Sequence, residues 1–174
     1  ISVLSPAIEL MGAAVRRYGG TVIKTLGDAI MAVFGAPVAL EKHAVLACRA
    51  AIAMQADAET RIAFSGPVQG GVRVHVGLAT GEVIVGFLEE QSDSRYDVAG
   101  FAVNLASCMA ALAPSGSIYL GESTHALVRE QFSCEALGSR RIRDRVDAVP
   151  VYRLNRKSQD GIMRSVVEHS RSRQ

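Results

Sequence analysis

No stretch of this chain is apolar for long enough to cross a bilayer, which takes about 20 residues. The longest apolar run, Ala29 to Leu40, is interrupted by Gly35 and Pro37, so membrane contact is not expected of this domain. A paired-cysteine pattern is also missing. Cys48, Cys108 and Cys134 are odd in number and widely spaced, which fits neither a disulfide framework nor a paired zinc site and points to a reducing, cytoplasmic setting. There is little excess of charge of either sign, the formal net charge being +2. The one dense basic stretch, Arg140 to Arg145, carries no interleaved aromatic residues to stack on bases, so nucleic acid is not an expected partner. No internal repeat is found. The chain starts at Ile1 and not at methionine, which leaves open an anchor or targeting segment elsewhere in a longer parent.

What is present is enough apolar material for one packed core: 49% of 174 residues, an ordinary single-domain length. Ile1 to Ser5 reads as a buried strand. Pro6 to Tyr18 places Ile8, Met11, Val15 and Tyr18 at helical spacing before Gly19-Gly20 stops it. Thr21 to Leu26 and Ala29 to Phe34 are β-prone runs around Gly27-Asp28, the signature of a hairpin. Leu40 to Ala58 carries a broad apolar helical face. Gly66 to Gly71 reads as a loop, and Val72 to Leu78 with Val83 to Leu88 reads as a second hairpin around Thr80-Gly81.

This order predicts an α+β fold with a ferredoxin-like βαββαβ core, an antiparallel sheet with helices packed on it, and extra C-terminal elements. Glu89 to Arg95 is expected to be a loop and Gly100 to Ala113 a helix. A strand at Ser117 to Leu120, a helix near Glu122 to Glu130 and a strand at Val151 to Leu154 complete a domain over 1–154. Residues 155–174 turn polar and basic, as a linker or exposed helix would.

Four polar residues stand out, each with an ordinary structural explanation. Lys24 alternates onto the same strand face as Val22 and Leu26, where its stem could lie on apolar surface with the ammonium in water. Asp28 in Gly-Asp is common turn chemistry. Asp97 lies near a helix start, where a carboxylate is favoured by the helix dipole. Asn104 sits among Val103, Leu105 and Ala106, a poor place for an unpartnered amide, and is either a structural hydrogen-bonding group or a ligand contact.

Taken together, these positions fall within a longer pattern. Residues 19–35, Gly-Gly-Thr-Val-Ile-Lys-Thr-Leu-Gly-Asp-Ala-Ile-Met-Ala-Val-Phe-Gly, resemble the strand, turn and strand of class III adenylate/guanylate cyclase catalytic domains. So do Val74 to Val83, and Tyr96 to Gly100 continuing through Val103 to Ser107. The similarity runs from about Pro6 to Leu154. It implies a nucleotide cyclase converting ATP to cyclic AMP and pyrophosphate by two-metal in-line attack of the 3′-hydroxyl, in a site built across a homodimer. By the same resemblance, Lys24 and Asp97 read the base. Adenine offers an acceptor and a donor that a lysine and a carboxylate satisfy together. Asp28 corresponds to one of two metal-binding, catalytic aspartates, Asn104 orients the ribose, and the ions are Mg2+ or Mn2+.

The pattern breaks in two places. The family's first metal aspartate lies in a turn after the opening strand, and here Ser5 is followed at once by Pro6, so a segment between residues 5 and 6 is expected to be missing from the sequence as it stands. The family also places an arginine four residues after the ribose asparagine, and this chain has Cys108. Phe101 stands where a smaller or polar residue is usual, and Arg143 is the cation in the place of a family lysine. The alternative implied is a catalytically impaired, nucleotide-sensing regulatory module. An RNA-binding ferredoxin-like sheet is disfavoured, for want of an aromatic pair and basic stripe.

Overall fold

The computed structural model describes residues 4–62, 72–90, 93–142 and 147–156. Helix α1 (Leu4–Arg17) leads into β1 (Thr21–Leu26) and β2 (Ala29–Val33), then α2 (His43–Asp57), whose end runs on as a π-helical turn (Ala58–Ile62). Next come β3 (Val76–Leu78), β4 (Ile84–Glu90), β5 (Asp93–Ala99), α3 (Phe101–Leu112), β6 (Ile118–Gly121), α4 (Glu122–Val128), β7 (Cys134–Arg140) and β8 (Val149–Leu154). The mixed α+β architecture is the one expected, and the described residues carry the αββαβ part of the ferredoxin-like order as α1 to β3.

Leu4 and Ser5 are helical, with Pro6 in the first turn of α1, where its missing N–H costs nothing. They do not belong to an opening strand; residues 1–3, the rest of that expected strand, lie outside the described residues. So do Gly66 to Gly71 and Arg143.

Strands β1 and β2 pair antiparallel with Leu26 opposite Ala29. The Gly27-Asp28 turn between them needs a positive φ, and Gly27 supplies it at 62° without a steric penalty. The second expected hairpin does not form. β3 pairs in parallel with β6, while β4 pairs antiparallel with β5 from Ile84–Ala99 to Glu90–Asp93. A parallel pair needs a crossover, and the chain from β4 to α3 provides it. Thr80, expected at a hairpin tip, instead bonds through Oγ1 to Thr124 Oγ1 of α4 at 2.8 Å. Glu89, Glu90 and Asp93 to Arg95 are strand, not loop, because ladder hydrogen bonds are made by the main chain and tolerate a polar sequence.

The four-stranded sheet has the order β3-β6-β8-β7. Period-two alternation sends Ile118, Leu120 and Leu154 to one face, against Cys48 and Ala51 of α2 and Val128 of α4. Val151, with Tyr119 and Val149, faces Met109 of α3 on the other. A second core lies between α1, α2 and the β1–β2 ribbon, where Val15, Met54 and Ala58 meet Val22, Ile30 and Phe34. Within this packing burial pushes the Cys48 thiol up to about 12, with a smaller push from neighbouring Cys134, so Cys48 stays a protonated apolar side chain. All three cysteines are unpaired.

Beyond β8, Arg156 donates two hydrogen bonds to Glu59 of the π-helical turn, at 2.6 and 2.7 Å. This fork holds the Glu59 carboxyl below the usual range and ties the end of the described chain to α2.

Candidate nucleotide site

Lys24 owes its position to an irregularity in its strand. The β1–β2 register shifts between Val22 and Lys24, so Val22 opposes Ala32 and Lys24 opposes Met31. This bulge breaks the expected alternation. Val22 packs on the α1 core, whereas Lys24 and Leu26 are exposed. A bulge that re-aims one side chain without unpairing the strand is a recurrent device beside functional sites.

The residue it is aimed at is Asp97. Lys24 Nζ donates to Asp97 Oδ1 at 3.2 Å across 73 residues of sequence. Asp97 is not at a helix start, as its place in the sequence suggested, but within β5, and helix α3 begins only at Phe101. The same Oδ1 accepts a second hydrogen bond, from the backbone N–H of Val98 at 2.9 Å. Both bonds fall on one oxygen, which leaves Oδ2 to accept from something else. The Val98 N–H, followed by the Lys24 hydrogen bond and charge, holds the Asp97 carboxyl below its ordinary value. Both side chains are about half exposed, so the pair adds little to stability.

The sign of the pH dependence follows. A depressed carboxyl favours the charged form in the folded chain, so its contribution is fully present above the unfolded-state pKa and is lost as pH falls through the lower folded-state value. Carbon-detected NMR titration is expected to place the Asp97 carboxyl below the ordinary aspartate value. In Lys24→Ala it should rise only part of the way, because the larger cause, the Val98 N–H, remains. A full return to the ordinary range would show that the ammonium dominates.

Asp28 is exposed at the tip of the β1–β2 hairpin, and no ion pair engages it among the described residues. Its free carboxylate suits one hard divalent cation. Among the described residues, no group of three or more His, Cys, Asp or Glu that could hold a metal ion comes together.

Asn104 is exposed on α3, so its amide does not need a buried partner. One turn later Cys108 is half-buried and packs against the Met109, Ile142 and Val151 cluster. The entry to α3 is shaped by Gly100, whose φ of 153° suits glycine and whose position a Cβ would bring to 2.9 Å from Glu82 O. The structure therefore joins Lys24 to Asp97, while no hydrogen bond or ion pair links Asp28 or Asn104 to that pair among the described residues. The Val98 N–H was not found by sequence reasoning, and a main-chain donor leaves no side-chain signal to find.

Comparison with known proteins bears on the family and the fold. The family model described as Adenylate and Guanylate cyclase catalytic domain matches residues 1–156. Adenylate cyclase 1 of Rhizobium meliloti is 27% identical over 158 residues, covering 87% of this chain and 23% of its own length. The soluble guanylate cyclase subunit beta-2 of Rattus norvegicus is 31% identical over 63% of this chain and 16% of its own. This chain thus spans less than a quarter of either curated relative. Among solved structures, the adenylyl cyclase CyaB from P. aeruginosa superposes with a TM-score of 0.78 at 26% identity, over 87% of this chain and 80% of that one. Among the described residues, no helix is long and apolar enough to cross a membrane.

Proposed function

This chain belongs to the family of adenylate and guanylate cyclase catalytic domains, and on that premise we propose that it takes ATP and converts it to cyclic AMP and pyrophosphate. The observation that carries the reading is the Lys24–Asp97 pair. An ammonium and a carboxylate held side by side present a donor and an acceptor to the edge of a purine. Adenine, with a ring-nitrogen acceptor next to an amino donor, satisfies both, whereas guanine's carbonyl oxygen and ring N–H invert the order along that edge.

In this reading Asn104 orients the ribose from the exposed face of α3, and Asp28 holds a divalent ion, magnesium or manganese. When bound, the ion supplies Lewis acidity to the 3′-hydroxyl and the phosphate oxygens. A second ion calls for a second carboxylate, which is not grouped with Asp28 among the described residues. The site is assembled in a homodimer, with Asp28 from one protomer and Lys24, Asp97 and Asn104 from its partner, and the domain works in the cytoplasm. Residues 157–174, most of the segment expected to be a linker or exposed helix, lie outside the described residues.

Isothermal titration of the full chain with ATP and GTP tests the substrate assignment. ATP is expected to bind more tightly than GTP, and Lys24→Ala should weaken ATP by about tenfold or more, the scale of a lost charge-assisted hydrogen bond. Equal affinity of the variant for ATP would remove Lys24 from the site. A second reading, a nucleotide-sensing module without turnover, is favoured by one specific feature: Cys108 supplies no charge where the family has an arginine.

A further inference from the structure

Gly86 lies in the interior of β4, directly opposite Asp97 of β5. Glycine weakens a strand interior, because it costs the most chain entropy and packs nothing, so it is kept there for a reason. Three ordinary reasons fail. Its backbone is not in the left-handed region, since Gly86 is absent from the positive-φ glycines. No bulge interrupts the β4–β5 register, which runs without a shift from Ile84 to Glu90. No neighbour crowds it either, because a Cβ built on Gly86 would meet nothing within 4 Å. The chain itself has no need of glycine at this position.

What remains is close approach by something outside the chain, and the surroundings say what kind. Directly opposed residues of an antiparallel pair share a face, and alternate residues along a strand share it too. Gly86 and Asp97 therefore share one face of the ribbon with the next pair along, Ile84 and Ala99, both exposed, Ile84 at 77%. The result is an open apolar shelf. At its edge stand Asp97 Oδ2, to which no described residue donates, and Lys24 Nζ, 3.2 Å from Oδ1.

We infer that Gly86 is a specificity-determining residue: its bare backbone is the floor on which a purine ring lies flat while its edge meets Asp97 and Lys24. This inference rests on the nucleotide reading above and deepens it. A side chain at position 86 fills the volume of the ring without disturbing the fold, so binding and stability move in opposite directions.

The experiment uses the full chain and ATP. Gly86→Ala and Gly86→Val are each followed by thermal melting, by sedimentation without nucleotide, and by ATP titration. Both variants are expected to melt at or above the wild-type temperature, since each is a better strand former, and to self-associate as the wild type does. ATP binding should weaken by about tenfold or more for valine and less for alanine, the scale of methylene-sized changes in a filled pocket. Three results would overturn the inference: unchanged ATP affinity in Gly86→Val, a lowered melting temperature in both variants, or loss of self-association before any nucleotide is added, which would make the shelf a seat for a second copy. If the wild-type chain binds no ATP, the nucleotide reading itself falls, a result distinct from all three.

Discussion

Gly77→Ala is expected to destabilise the domain by about 3 kcal/mol, the upper part of the usual range for overpacking. At this chain length that corresponds to a fall of about 10 °C in melting temperature. A Cβ on Gly77 would lie 2.1 Å from the backbone N of Ala110, 2.3 Å from the carbonyl O of Ala106 and 2.8 Å from Ala110 Cα. All three are main-chain atoms of α3, so no rotamer change can relieve the clash; either the whole helix lifts or β3 drops. The consequence reaches beyond stability, because α3 carries exposed Asn104 and, one turn on, half-buried Cys108. His75 holds the same helix from its C-terminal end, with Nδ1 2.8 Å from Ala110 O. Urea unfolding of the variant measures the cost directly. A loss below about 1 kcal/mol would mean that β3 and α3 can part freely and that the tight seat of α3 does not set the position of Asn104.

Cys108→Arg is expected to raise cyclic AMP production by up to about a thousandfold, the scale of a recovered transition-state charge clamp worth several kcal/mol. Cys108 lies one helical turn beyond Asn104, so the two share a side of α3. It is half-buried against the Met109, Ile142 and Val151 cluster. An arginine fits there because its aliphatic stem can cover the apolar surface that the thiol now touches while the guanidinium reaches water. Cys108→Met is the control: it keeps the stem without the charge and should leave turnover unchanged. Equal gains from methionine and arginine would attribute the effect to packing. No gain from arginine would place the phosphate away from this face of α3.

How far these features could be read from the sequence depends on the range of the interactions that make them. The β1–β2 hairpin, α2 and α3 were legible, because a Gly-Asp turn and broad apolar helix faces are local signals. The parallel partnership of β3 with β6 was not, since it joins main chains far apart in sequence and leaves no local signal. β7 was missed altogether. It is an edge strand, paired only with β8 among the described residues, and its register shifts between Ala136 and Ser139 around Gly138 at φ 76°, so no clean alternation survives.

At the site, Lys24 and Asp97 were both identified through resemblance, yet their geometry was misread in each case. The bulge at Val22 to Lys24 turns the lysine outward, and Asp97 works from mid-strand with help from a main-chain N–H. Asn104 drew notice as an amide in apolar company, and that concern dissolves once its exposed side of α3 is known.

Cyclic AMP production from ATP and manganese by the full chain, with Lys24→Ala measured alongside, tests the central claim most directly. Turnover by the wild type that is abolished in Lys24→Ala is the predicted result. It would tie the chemistry to the Lys24–Asp97 pair. Absence of turnover with ATP still bound would contradict the cyclase assignment and leave a nucleotide-sensing domain that has the fold without the reaction.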